Sequence, residues 1–394
     1  MGKKTINIKK ICKYILLIIL FLPFIQQRTI EELPNFLKLF YNYGIILSSI
    51  IMYLYLLINK KIKMNQFLVI FIILAAFYCC NSFFKWPESV LFCLKHFFCM
   101  IALIIFITKS LENNSYDVIH SLALIYHFFI IANFILLILF PQGIYKTSVI
   151  SYHNGHLLGD DNALIYVLLP GIIITCVDSI IKKKKISFLN IIEILMCEIS
   201  FIKVWSATSV VCFSLFILLL IVDKIKKIPV SILISIFIVA LLILLFGLSS
   251  PIIQNIILNV LHKSVTLSGR TLVWRDSFIL IKNRLLSGYG GYFSYGKFYY
   301  NGMYYPCHTP YLQILLDSGI VGMILYVCLF ISVFLKIRKN YNNRAIRIVT
   351  IGIICIMINY ILEYSQFFHL YILLCLAYNF DNVLKQNNHI KEVA

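Results

Sequence analysis

Apolar runs of about 20 residues recur from one end of this chain to the other, and that repeat leaves few folds open. A helix needs about 20 residues to cross about 30 Å of hydrocarbon. Of 394 residues, 61% are hydrophobic and 13% charged. Transmembrane β-strands would be about 10 residues long and alternate apolar with polar, and no such pattern occurs. The sequence therefore predicts an all-α polytopic membrane protein. About twelve spans are expected, near 11–25, 37–58, 66–84, 89–108, 118–140, 162–181, 187–204, 207–222, 228–247, 310–335, 345–362 and 365–380. The first follows Lys3, Lys4, Lys9 and Lys10 and lacks a small-x-small cleavage site, so it reads as an uncleaved span. Residues 1–394 read as a single integral membrane domain with no internal repeat and no soluble domain. One large extracytoplasmic loop, 249–309, precedes the last three helices, and a second, 141–161, precedes the sixth span.

The formal net charge is +19, which taken alone would suit nucleic acid. Its distribution argues otherwise, because the basic residues form short clusters between spans. With the N-terminus in the cytoplasm, 22 basic residues fall on the inner side and 10 on the outer. Clusters such as Lys182–Lys185 and Lys336–Arg347 then lie inside. The positive-inside rule thus puts both termini of a multi-pass protein in the cytoplasm. Most of the 12 cysteines lie inside apolar runs as small apolar residues. No metal-like spacing with histidines occurs, so neither a disulfide framework nor a metal site is expected.

Two outer segments hold the polar residues. Between 268 and 322 lie Ser-Gly-Arg-Thr-Leu-Val-Trp-Arg, a Gly/Tyr-rich run, and then His308 leading into a new span. Thr271–Asn283 reads as a short amphipathic helix with Ser268 as its N-cap. Val273, Trp274, Leu280 and Ile281 would press into the membrane interface. Arg270 and Arg275 are candidates for gripping phosphate oxygens, since a guanidinium is permanently charged and offers paired donors. Arg270 also sits at a helix start, where backbone donors favour anions. The competing reading is an anchor to lipid headgroups, stronger for Arg275 than for Arg270 and stronger again for Arg284. His308 has the chemistry to orient or deprotonate a hydroxyl. Asp317, within a span, is either functional or the partner of a buried cation. In the other segment His153, His156, Asp160 and Asp161 cluster, with Asp161 a candidate base and a solvated loop the plain alternative. Pairing among Lys203, Glu198 and Glu193 reads as structural, and so does Glu363 in the last outer turn. The loop tyrosines suit an interface belt or sugar stacking.

Ser268-Gly269-Arg270 with Trp274, the Gly290 region, His308, and then Tyr311-Leu312-Gln313 and Asp317-Ser-Gly-Ile-Val-Gly322 resemble the O-antigen ligase and polymerase superfamily of bacterial envelope glycan assembly. Gly159-Asp160-Asp161-Asn162-Ala163-Leu164, opening the sixth span, is similar to a segment of that family. The resemblance implies metal-independent, inverting glycosyl transfer on the outer face of the cytoplasmic membrane, with no cofactor. The donor it implies is a glycan on undecaprenyl diphosphate. It assigns the diphosphate contact to Arg270 and the loop histidine to His308, with Arg275, Trp274, Lys203 and Tyr311 as further substrate-binding candidates. Two positions depart from the family. Thr309 follows His308 where the family often has asparagine. The turn Trp205-Ser206-Ala207-Thr208-Ser209 lacks the arginine many members carry, with Lys203 the nearest cation, which undercuts a two-arginine clamp.

The leading expectation is a polymerase of lipid-linked repeat units for O-antigen or capsule. Its partners would be the lipid-linked substrate, membrane lipids, a flippase and a chain-length regulator, with no nucleic acid. The runner-up is a ligase that moves the glycan to lipid A core or another acceptor. A flippase would carry ionisable residues along a central path in two related halves, and here polar residues concentrate in one late loop. A purely structural membrane subunit is the plain alternative.

Overall fold

The computed structural model describes residues 8–25, 35–58, 64–146, 154–247, 250–260, 264, 267, 269–291, 298–300, 303–305, 307–363 and 368–393. Among the described residues the fold is all-helical, apart from two short hairpins. Helices α1 (Ile8–Phe21), α2 (Asn35–Ile58), α3 (Gln66–Lys85) and α4 (Val90–Leu139) lead to a hairpin of β1 (Tyr145–Lys146) with β2 (Asn154–Gly155). Then come α5 (Ile165–Lys183), α6 (Phe188–Val204), α7 (Ala207–Ile225), α8 (Val230–Gly247), α9 (Pro251–Asn255) and α10 (Arg270–Asn283). A second hairpin, β3 (Phe298–Tyr300) with β4 (Met303–Tyr305), precedes α11 (Pro310–Asn340), α12 (Arg344–Leu362), α13 (Phe368–Tyr378) and α14 (Phe380–Val393).

Among the described residues, seven helical stretches are long and apolar enough to cross a membrane, and Val230–Leu244 and Phe368–Tyr378 are shorter apolar helices. Each of the twelve predicted spans coincides with a helix or with half of one. Two of them, 89–108 and 118–140, are joined in α4, whose backbone leaves helical geometry at Asn114 (φ −152°, ψ 64°). On a straight helix His96 and Tyr126 would stand about 45 Å apart. Instead they meet neighbouring residues of α13. The His96 ring lies 5.5 Å from that of Phe368, and the Tyr126 hydroxyl hydrogen-bonds His369 at 2.6 Å. The chain therefore turns back at Asn114, and α4 makes two passes.

Helices α5 and α12 form the centre. Their apolar windows are 83% and 78% buried, against 33% for α7. Gly352 permits the closeness of the two, since a Cβ there would fall 2.1 Å from Ile173.

The connections sort onto two faces. On one, Lys13 pairs with Asp117 at 2.6 Å, Lys182 with Asp178 at 2.6 Å, and Arg347 with Asp223 at 2.9 Å. Tyr341 reaches Ile228 there at 2.7 Å, and Ser115 meets Gln386 at 2.7 Å. This face holds the clusters of lysine and arginine. On the other, Asn162 meets Ser206, Arg270 meets Glu363, and Lys85 donates to the carbonyls of Ser287 (3.1 Å) and Gly288 (2.9 Å).

On this second face α11 is broken. Gly319 has φ 62° and ψ −161°, a conformation open essentially to glycine alone. The freed backbone groups are satisfied by the segment after α10. Tyr289 N–H donates to Leu316 O at 2.7 Å, Gly290 N–H to Asp317 O at 2.9 Å, and Ile320 N–H to Leu285 O at 2.8 Å. The Asp317 carboxylate accepts from the Tyr78 hydroxyl at 2.8 Å and the Gln313 amide at 2.7 Å. Asp317 is thus part of the joint, with two neutral donors on its carboxylate.

Candidate active site

Helix α10 starts from Gly269, whose φ of 87° lies in the left-handed region. The predicted N-cap, Ser268, lies outside the described residues; Gly269 occupies the capping position, with no side-chain cap. The predicted membrane-facing residues are also reassigned. Val273 and Ile281 are buried against Phe298, Cys307, Leu312 and Leu316, with Trp274 and Leu280 packed on the same cluster. The Trp274 indole donates to Cys307 O at 3.1 Å. Thus the apolar face that sequence assigned to lipid instead fastens α10 to the start of α11. Leu272, Phe278 and Ile279 are the exposed apolar residues of this helix.

This fastening aims Arg270 inward. Its side chain is 12% exposed, and Nη2 donates to Oε1 of Glu363, itself 8% exposed, just beyond the end of α12. Arg270 Nε is buried and has no hydrogen-bond partner among the described residues. Because Trp274 lies one turn along from Arg270 and holds Cys307, the adjoining His308 is carried to the same end of α10. His308 is half-buried and left-handed (φ 56°).

Glu363 tops a stripe on α12 that includes Gly352, Cys355 and Asn359, spaced so as to share one helix face. That stripe faces α5 and α7. A Cβ on Gly352 would lie 2.1 Å from Ile173 and 3.7 Å from Phe216. Higher up, α7 carries Cys212, 2% exposed. Above Cys212, α7 begins with Ser206 and Ser209, both 1% exposed and 2.6 Å apart. The Ser206 hydroxyl donates to Asn162 Oδ1 at 3.0 Å. Asn359 is 1% exposed, yet neither its Oδ1 nor its Nδ2 has a hydrogen-bond partner among the described residues. A buried amide of this kind ordinarily costs about 1–3 kcal/mol. The ends of α5, α7, α10 and α12 therefore carry one polar cluster, a crevice of helix ends, in an apolar protein. It contains a guanidinium, a carboxylate, an amide and two hydroxyls.

The remaining candidates are distributed around it. Asp160 caps the turn into α5, accepting from Ala163 N–H at 3.0 Å, while Asp161 lies 3.5 Å from His156 Nε2. Neither contact reaches Arg270, although Asn162 joins this segment to the crevice. His153 lies outside the described residues. The Tyr311 hydroxyl donates to Met357 O at 2.9 Å, bracing α11 against α12. Arg275 is 66% exposed and bonded to its neighbour Asp276. Lys203 is exposed and makes no ion pair with a described residue. Glu193 bonds instead to His127, and Glu198 accepts from Ser214 at 2.6 Å. No group of three metal-ligating residues occurs among the described residues. Glu363, Asn359, Asn162 and the two serines were not singled out as a set by sequence. The available signal was Glu363 itself, one of 16 acids in 394 residues, predicted on the same face as Arg270.

The fold is that of an all-helical polytopic membrane protein, with a cation and a carboxylate paired away from solvent at one end of its helices. Residues 204–327 match the model of the O-antigen ligase family, a likeness consistent with the O-antigen ligase and polymerase superfamily. The matched stretch contains Ser206, Ser209, Arg270 and His308 and ends before Asn359 and Glu363. No curated protein matches the chain.

Proposed function

We propose that this protein polymerises oligosaccharide repeat units carried on undecaprenyl diphosphate, by inverting glycosyl transfer on the outer face of the cytoplasmic membrane. The observation that carries the reading is Arg270. It lies in the stretch that matches the family, its guanidinium is buried, and it faces the crevice on the side away from the basic clusters. With those clusters in the cytoplasm, the crevice opens outward and both termini lie inside. The sugar hydroxyl of one unit attacks the anomeric carbon of another chain. Undecaprenyl diphosphate leaves, and Arg270 stabilises the charge as the bond breaks. His308, at the same end of α10, is placed to orient the reacting groups. The reaction uses no metal or cofactor. A flippase would supply the units, and a chain-length regulator would limit the product.

The family's description favours a second reading, transfer of the finished glycan to a separate acceptor such as lipid A core. The turn Trp205-Ser206-Ala207-Thr208-Ser209, with hydroxyls and no arginine, supports the polymerase. A gel ladder of envelope glycan from a deletion strain separates the two. Polymerase predicts a collapse to single-repeat glycan, restored by the wild-type gene. Complete loss of surface glycan, with long lipid-linked chains accumulating, establishes the ligase. An unchanged ladder rejects both.

A further inference from the structure

Glu363 and Arg270 each stand at the end of a helix whose dipole disfavours them. Glu363 caps the carbonyl end of α12, and Arg270 is the first residue of α10. A carboxylate is stabilised at a helix N-terminus and a cation at a C-terminus, the reverse of what is seen. Local helix electrostatics therefore do not account for either charge, and the two hold each other. Beside them Asn359 carries a donor and an acceptor, both buried and without a hydrogen-bond partner among the described residues, one turn below Glu363. An amide satisfies its two functions best with a group that is both donor and acceptor, as a sugar hydroxyl is.

We propose that Glu363 is the catalytic base for the acceptor hydroxyl, that Asn359 holds the acceptor sugar beside it, and that Arg270 masks the carboxylate until a diphosphate draws the guanidinium away. This rests on the reading of the protein as a lipid-linked glycan transferase. In the step itself the acceptor O–H bond breaks and its proton passes to Glu363. The oxygen forms a bond to the anomeric carbon, and the bond from that carbon to the diphosphate oxygen breaks. Its electron pair leaves with undecaprenyl diphosphate, whose charge Arg270 now faces. Coupling the two charges makes the base available only when donor is in place, which guards the crevice against activating water. Asp161, 3.5 Å from His156, is the other candidate base.

The test uses the full chain in liposomes, with two readouts: transfer between lipid-linked repeat units, and binding of undecaprenyl diphosphate alone as the probe. Glu363→Gln is expected to retain or tighten binding of the probe while transfer falls by about 10²–10⁴-fold, the usual worth of a positioned base. Glu363→Asp should recover part of that loss. Asn359→Leu, which replaces an unpartnered amide by an apolar group of similar size, should keep thermal stability and probe binding while transfer falls about tenfold, the worth of a hydrogen bond. Wild-type transfer by Glu363→Gln would overturn the proposal. So would loss of probe binding together with transfer, since Glu363 would then only position Arg270. Wild-type transfer by Asn359→Leu removes the acceptor subsite. If the wild-type protein neither binds the probe nor transfers, it is the transferase reading that fails.

Discussion

Arg270 and Arg275 are five residues apart in one helix and have opposite surroundings. Arg270 is buried against Glu363, while Arg275 is 66% exposed. Sequence placed both at one polar segment and ranked Arg270 higher because it opens a helix. It could not supply the partner, which lies 93 residues further on. Removing one side of a buried ion pair typically costs about 3–5 kcal/mol, so Arg270→Ala tests stability as well as function. Arg270→Lys keeps the charge and loses the paired donors, and is expected to yield folded protein with markedly reduced transfer in the liposome assay. Trp274 was expected at the membrane interface and is instead bonded to Cys307 O. Trp274→Phe should therefore lower stability by about 1 kcal/mol, the worth of one hydrogen bond, measured as a shift in thermal unfolding. An effect on thermal stability as small as that of a lipid-exposed substitution such as Ile279→Ala would contradict that placement.

At the scale of elements, the helices were legible because about 20 apolar residues admit no other economical fold in lipid. Their interruptions were not. Residues 310–335 read as one continuous span, yet Gly319 breaks α11 and residues 285–290 supply its missing hydrogen bonds. A joint made from segments about thirty residues apart leaves no periodic trace. A Cβ on Gly319 would fall 2.4 Å from Leu286 carbonyl atoms, and one on Gly288 would fall 2.4 Å from Leu316 O. Either Gly319→Ala or Gly288→Ala should displace the segment after α10 and abolish glycan elongation. The check is the glycan ladder, with protein in the membrane quantified in parallel. Helix α10 teaches a related point. It carries apolar residues on more than one side, so amphipathicity alone could not decide which side meets protein. Burial of Val273 and Ile281, with Phe278 and Ile279 exposed, decides it.

Across the whole molecule, the alternation of basic clusters with nearly uncharged turns was the most informative sequence signal. The contacts sort onto two faces in the same alternation, from Lys13 with Asp117 on one to Arg270 with Glu363 on the other. Reporter fusions test the orientation. Alkaline phosphatase joined after Arg284 should be active and joined after Lys184 inactive, and the opposite pattern would invert the topology. What sequence could not provide was convergence. The segments 141–161 and 249–309 looked like separate loops, whereas Asn162, just after the first, is tied to Ser206, and Arg270 of the second is tied to Glu363. The central claim is that Arg270, and not the exposed arginine beside it, serves the departing diphosphate. Glycan length in a deletion strain complemented with Arg270→Ala or Arg275→Ala tests it most directly. The account predicts that Arg270→Ala slows elongation by about 10²–10³-fold, the scale of a lost transition-state donor, and leaves essentially single-repeat glycan. Arg275→Ala should give a nearly wild-type ladder. Equal loss in both variants, or a normal ladder with Arg270→Ala present at wild-type level in the membrane, would contradict it.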